Sequence, residues 1–377
     1  MKKLPVVQRF RRVRLPPWAA SLLCLLTLCA TLVAGLRPFH APFNDVAWLK
    51  GSNGVQLGRY GTVLSQSAFQ NPAEGADGSL ELWVRPAKIW ARGCILSFYD
   101  SHAKRLFRIE QDYTDLVLRL GEWDTDDERT SLRVQDVFRK KEVFITVSFD
   151  GKETHVYIDG RLERSSIVFR LSSSDLSGRL ILGNAPLRNY SWAGQLKGLA
   201  IYAEELNAAQ ALQQHRSWRE RGEPVPGSSG QLSALYQFRE HEGRTTRSSV
   251  STGVTLVFPK RFLVVDQLRF ESLASELKTE DSYFKNALLN VVGFIPLGFT
   301  VGLYTAGALR MRRAGLATVL LGTTVSVAIE YFQGFLPTRY SGCTDFFTNT
   351  FGTWIGFQFC KWLVFTTKFR LSDRAVK

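Results

Sequence analysis

The sequence predicts two architectures in one chain: an all-β sandwich outside the membrane and a polytopic α-helical membrane domain, with four transmembrane helices in total. Three observations predict this. Uncharged apolar stretches long enough, or nearly so, to cross a bilayer occur near the start and toward the end of the chain. Between them, short runs of alternating apolar and polar residues recur, punctuated by Asp-Gly pairs. The basic residues in excess lie beside the apolar stretches. The composition agrees: 377 residues leave room for two domains, and 45% hydrophobic with 22% charged residues excludes a disordered chain. Five cysteines are too few for a disulfide scaffold.

The first membrane helix is expected over 18–36, after a basic N-terminus at 1–17. A cleaved signal peptide is the competing reading, since Val33-Ala34-Gly35 offers small residues. The apolar run is long for that and lacks a good A-x-A site, so an uncleaved helix is expected. The remaining helices are expected at about 286–309, 314–332 and 346–367, with a tail at 368–377. Asn286 to Leu309 is uncharged and would span roughly 36 Å as a helix. Lys361 sits near the end of the last stretch, where it can snorkel.

Orientation follows from the charges. The net charge of +14 first suggests nucleic acid, but nearly all of it lies in three segments: 1–17, Arg310–Arg313 and the tail from Lys361. All three fall on one side of the membrane if both termini are cytoplasmic, which is what the preference for basic residues in cytoplasmic loops requires. The residues after Leu36 are then extracytoplasmic. A nucleic-acid partner is not expected. The implied location is a bacterial cytoplasmic membrane, multi-pass.

Residues 43–217 read as the extracytoplasmic β-domain. Leu80, Leu82 and Val84 alternate with Glu81, Trp83 and Arg85, and Val143, Ile145, Val147 and Phe149 with Phe144, Thr146 and Ser148. Asp150-Gly151 and Asp159-Gly160 supply turns. Further strands are expected near 95–99, 106–110, 116–120, 180–182 and 196–202, and a helix near 207–218. Residues 219–280 read as a linker and membrane-proximal segment, with Pro224 and Pro226 in its first part.

Phe149-Asp150-Gly151, Val156–Gly160, Leu182-Gly183 and the run from Trp192 through Gly194 and Gly198 to Tyr202 resemble the laminin-G-like, concanavalin A-like jelly roll. That resemblance implies a fold, and a family that often binds glycans or proteins, sometimes through calcium. Calcium stays open for this domain, but no acidic cluster at a calcium-loop spacing stands out, and no cofactor or metal ligand is assigned. Tyr236-x-Phe238-x-Glu240 resembles a further strand of the same domain type, which could rejoin the sandwich as an edge strand.

The membrane half carries polar residues at unusual positions. Asn290, Phe294, Pro296 and Gly298 share the second helix. Glu330 and Gln333 end the third, Arg339 lies in the following loop, and Asp345, Asn349, Gly352 and Gly356 open the fourth. The last four are spaced on one helix face, and Gly352-x3-Gly356 permits close packing. The two motifs, N-x3-F-x-P-x-G and E-x2-Q-x5-R-x5-D-x3-N-x2-G-x3-G, resemble the VanZ-like membrane family across about 284–362. The family often has an acidic residue three after the Arg, where this chain has Gly342, which counts against a role needing two loop carboxylates.

With both termini cytoplasmic, Asn290, Glu330, Gln333, Arg339, Asp345 and Asn349 all fall at the outer side of the membrane. Intramembrane carboxylates are costly, so a partner for each is expected. They could simply pin the loop and glue the helices, or form a ligand-binding site for a polar head group. The expected function is a cell-envelope protein, more a binder than an enzyme, whose β-domain holds a glycan or exported protein near that site, with membrane lipid as the other partner. The alternative is a membrane enzyme acting on a lipid-linked or surface glycan, with Glu330 and Asp345 as acid and base. No Cys-x2-Cys or His-x3-His pair suggests a metal. Cys94 and Cys343 would share the oxidising side, so a disulfide between them is open.

Overall fold

The structure, a computed structural model, describes residues 16–71, 75–121, 127–225, 232–267, 283–339 and 342–373. Most of the basic N-terminus, part of the expected linker and the last four residues lie outside these. The chain forms two compact units: a helical one, and a β one running from His40 to Leu268 together with Pro337–Arg339.

The β unit is a sandwich of two antiparallel sheets, each of eight strands. The first sheet runs β1 (Val46–Trp48), β2 (Val55–Leu57), β13 (Gly194–Tyr202), β4 (Gly78–Pro86), β9 (Val143–Phe149), β10 (Thr154–Ile158), β11 (Arg161–Ser166), with β14 (Leu232–Tyr236) also paired to β13. The second runs β15 (Thr245–Thr246), β16 (Leu256–Val257), β3 (Val63–Ser65), β12 (Arg179–Leu182), β5 (Arg92–Asp100), β6 (Arg105–Asp112), β7 (Asp115–Leu120), β8 (Ser131–Val134). Alternation sets the core. Leu80, Leu82 and Val84 pair with Val147, Ile145 and Val143 across β4 and β9, and all six are buried between the sheets. The Asp159-Gly160 turn joins β10 to β11 with both residues at positive φ, as a two-residue hairpin of this hand demands.

The outer face of the first sheet is not uniformly wet. Helix α2 (Ala208–Arg221) starts at Asn207, whose side chain accepts from the Ala209 and Gln210 amides, and ends at Gly222 with φ 71°. It lays Trp218 over Phe144, Ala200 and Tyr202, with Leu232 and Leu235 of β14 closing the cluster. Every residue of β9 is therefore buried, on both faces.

The sandwich extends beyond residue 217. Strands β14 to β16 lie in the stretch expected to be linker and membrane-proximal. Tyr236 does rejoin an edge, pairing with Leu199 of β13. Residues 42–44 and 260–262 then lie side by side: the Phe262 amide donates to Pro42 and the Asn44 amide to Lys260.

The helical unit contains α1 (Pro17–Leu36), α3 (Tyr283–Ala308), α4 (Met311–Gln333) and α5 (Cys343–Asp373). Among the described residues, α1, α3 and α4 are long and apolar enough to cross a membrane. The fourth helix is longer than expected, beginning at 343 rather than 346. It is absent from that group because Asp345, Asn349, Gln358 and Lys361 dilute its apolarity. Asn349 and Thr353 of this helix are buried inside the bundle. Gly298, Gly352 and Gly356 let α3 and α5 touch backbone to backbone: a methyl group on any of them would collide with the carbonyl of Thr353, Val291 or Ile295 respectively. Helix α1 belongs to the same bundle. Leu28, Leu32 and Leu36 form a ridge against Phe294, Leu297, Val301 and Ile329. The Thr27 and Thr300 hydroxyls meet at 2.7 Å.

Candidate functional site

The polar residues singled out in the helices sit at the bundle end where α1 finishes, α3 starts, α4 finishes and α5 starts. Asn290 of α3 donates from Nδ2 to Asp345 Oδ1 at 2.6 Å. The acceptor is a carboxylate, so the amide's orientation is fixed. Asp345 lies in the first turn of α5, where a carboxylate complements the helix dipole.

Glu330 is only 2% exposed. Its Oε2 accepts from the Gly342 amide at 3.3 Å, immediately before α5. It thus takes up one of the N–H groups that a helix start leaves unsatisfied. Gly342, where the family pattern often has an acid, serves here through its backbone. Gln333, three residues on and so on the same face, donates from Nε2 to the Gly35 carbonyl at 2.6 Å. That carbonyl is one of those orphaned at the end of α1. Two of the six predicted residues therefore bind helix ends.

Asn349, 3% exposed, donates from Nδ2 to Ser326 Oγ at 3.0 Å. Its Oδ1 is buried with no partner. In a hydrocarbon setting an unsatisfied amide oxygen is expensive, so among the described residues this atom stands out as an open acceptor. Ser326 is fully buried and lies four residues before Glu330 on α4. Sequence reasoning did not select it, although that spacing places it on the Glu330 face. Arg339 belongs to the β unit, where its carbonyl accepts from Gln267 Nε2 at 2.8 Å. Pro296 and Gly298 lie in the middle of α3. The Thr300 hydroxyl donates to the Pro296 carbonyl at 3.0 Å, and Gly298 is a packing contact to α5. All five cysteines are free.

The β unit holds a buried carboxylate of its own. Glu81 of β4 lies beneath α2, fully buried, with Oε2 accepting from Tyr202 Oη at 2.7 Å and Trp218 Nε1 at 2.9 Å. Its Oε1 has no partner. Burial pushes this carboxyl up to about 7, against the two hydrogen bonds that favour its charged form.

Residues 232–365 match the VanZ/LLP1 family model, and residues 51–211 that of the concanavalin A-like lectin/glucanases superfamily. The chain is a VanZ-like segment fused to a concanavalin A-like domain. The VanZ-like match opens at Leu232, the first residue of β14, well before α3. The strands that complete the sandwich thus travel in sequence with the helices. No curated protein matches the chain. Among solved structures it is similar to a putative carbohydrate binding protein from Bacteroides ovatus, at 12% identity and TM-score 0.37 over 59% of this chain and 62% of that one. It is also similar to the binding domain of botulinum neurotoxin DC in complex with rat synaptotagmin II, at 16% identity and TM-score 0.35, covering 46% of this chain and 45% of that one. A third is the Ruminococcus gnavus IT-sialidase CBM40 bound to alpha2,3 sialyllactose, at 14% identity and TM-score 0.32, over 43% of this chain and 95% of that one. Scores this low fix neither ligand nor partner.

Proposed function

We propose that this VanZ-like fusion is a cell-envelope binding protein of a bacterial cytoplasmic membrane, with both termini cytoplasmic. In this reading the concanavalin A-like domain recognises a glycan outside the membrane. The helical cluster of Asn290, Ser326, Glu330, Asp345 and Asn349 receives the polar head group of a lipid or lipid-linked ligand. The observation that carries the second part is the unpartnered Asn349 Oδ1. A cluster built only to glue helices would satisfy both ends of that amide, whereas a site awaiting a donor from a head group leaves one open. The family match of the β-domain and the placement of the basic segments support the first part.

The test uses the full chain in detergent, read by thermal unfolding with short-chain phospholipids added. Asn349→Leu removes the open acceptor and the Ser326 bond together. The expected result is a melting temperature unchanged or slightly raised without lipid, with the lipid-induced rise lost. A clear fall without lipid, and an intact lipid response, would make Asn349 structural and remove the site.

A further inference from the structure

The α2-covered face of the first sheet becomes open at its other end, and a second feature is built there. Gln195 of β13 pairs directly with Gln56 of β2 on one side and with Arg85 of β4 on the other. Their strand neighbours Val55, Leu57, Val84 and Leu196 all point into the core. Alternation therefore puts Gln56, Gln195 and Arg85 in one row on the outer face. Beside the row is a cleft of about 420 Å³, also lined by Ile89, Lys140 and Lys141. That volume is within the range of small-molecule sites.

The lining is organised. Gln56 Nε2 donates to two carbonyls, Leu57 at 3.1 Å and Gly194 at 3.0 Å. Only the amide nitrogen can face two carbonyls, so Oε1 is the end left to accept. Gly194 lines the cleft with backbone alone; a side chain there would point inward onto the buried Trp192 ring. Arg85 and Lys141 are exposed and make no ion pair among the described residues. Lys140 is paired to Asp159 at 2.7 Å. Glu142, next to Lys141, is occupied by Lys197 and by Trp83 Nε1. The cleft thus offers uncompensated positive charge, a fixed acceptor and an apolar wall at Ile89. Trp90, the next residue along, is 73% exposed. A sugar ring presents hydroxyls at its edge and C–H groups on its faces, and a cationic cleft selects rings that also carry an anion.

We infer that this cleft is the binding site for an acidic glycan, its anionic substituent held by Arg85 and Lys141 and its hydroxyls by Gln56 and Gln195. The inference rests on the glycan-recognition reading and narrows it to one ligand class and one place. Arg85 and Lys141 are surface positions, so their removal should leave the fold intact, which an unchanged melting temperature verifies.

The experiment titrates the full chain in detergent with oligogalacturonate, phosphorylated dextran and unmodified dextran. It compares the parent with Arg85→Ala/Lys141→Ala and with a charge-matched control, Arg161→Ala/Arg164→Ala, at the far edge of the same sheet. We expect at least one acidic probe to bind, at least tenfold tighter than dextran, and to weaken at least tenfold in the cleft variant but not in the control. The carboxylate and phosphate probes identify which anion is the source. Equal weakening in the control would mean diffuse surface charge and overturn the site. Glycan binding that ignores the cleft variant would also overturn it, while leaving glycan recognition standing. No binding to any of the three probes would sink this inference together with glycan recognition of these polymers.

Discussion

Glu330 illustrates how a residue that looks catalytic can be doing a helix end's work. Its oxygen receives the Gly342 amide just ahead of α5, a task that needs an acceptor rather than a charge. Glu330→Gln keeps an acceptor there and Glu330→Ala does not. We expect the alanine variant to lose stability by about 1–3 kcal/mol, as for other stranded buried amides, and the glutamine variant to lose much less. Thermal unfolding in detergent checks this. If glutamine instead abolishes cellular function at a normal protein level, the charge is required and acid or base chemistry gains the stronger claim. Glu81 makes a separate prediction. Its carboxyl is raised in the folded protein to about 7, so the folded state holds its proton more tightly than the unfolded chain. Folded stability should therefore be greatest at low pH and fall as pH rises from near the ordinary carboxylate range through 7, then level off. The full effect is on the order of 3 kcal/mol. Glu81→Gln can still accept from Tyr202 and Trp218 and carries no charge, so it should flatten that slope. A variant with an undiminished slope would assign the pH dependence to other groups.

At the scale of elements, the contact between α3 and α5 is the most demanding in the helical unit. Gly356 faces the Ile295 carbonyl and the Phe299 amide across it, so Gly356→Leu must push the helices apart. Overpacking of a tight contact costs about 1–3 kcal/mol, and little folded protein should be recovered from membranes. Gly307, whose surroundings are open, is the matched control and should tolerate leucine. The β-domain offers a parallel case. Strand β14 covers β13 and closes the cluster around Trp218, so a fragment ending at residue 217 should aggregate, whereas one continued to 268 should stay soluble. Gel filtration of the two separates these outcomes. The same elements show what was legible from sequence. Strands of five residues or more with clean alternation, such as β4, β9 and β10, announced themselves. Strands β2 and β3 have three residues, and β15 and β16 have two, too few for any period to register. In the helices the polar residues were visible but their partners were not. Gln333 reaches a carbonyl 298 residues away, and Ser326 was one hydroxyl among several on an apolar helix. The grouping of all six rested on an expected shared side of the membrane. The hydrogen bonds add what spacing could not give, that Glu330 and Gln333 each take up a group at a helix end.

For the whole molecule, the chain solves an insertion problem. A domain inserted between two helices of one bundle must begin and end close together, and segments 42–44 and 260–262 do so by pairing antiparallel. Helix α1, in turn, is held to the bundle by Thr27, the leucine ridge and the Gln333 bond. These are sequence-specific contacts that a cleaved leader would forfeit. We therefore expect the mature protein to retain its N-terminus, and Thr27→Val with Gln333→Ala to loosen α1 without removing it. Sidedness is the property on which every functional argument above depends, and it can be measured directly. Single cysteines on a cysteine-free background would be probed with a membrane-impermeant maleimide. Ala314 is the obvious marker of the α3–α4 turn by sequence, but it is buried and its silence would say nothing. Arg312 is exposed in the same turn, and Lys152 is exposed on the β9–β10 hairpin. With both termini cytoplasmic, Lys152→Cys should label on intact spheroplasts and Arg312→Cys only after permeabilisation. The reverse pattern would place the β-domain in the cytoplasm. It would also put Glu330, Asp345 and Asn349 at the inner leaflet, out of reach of any envelope glycan.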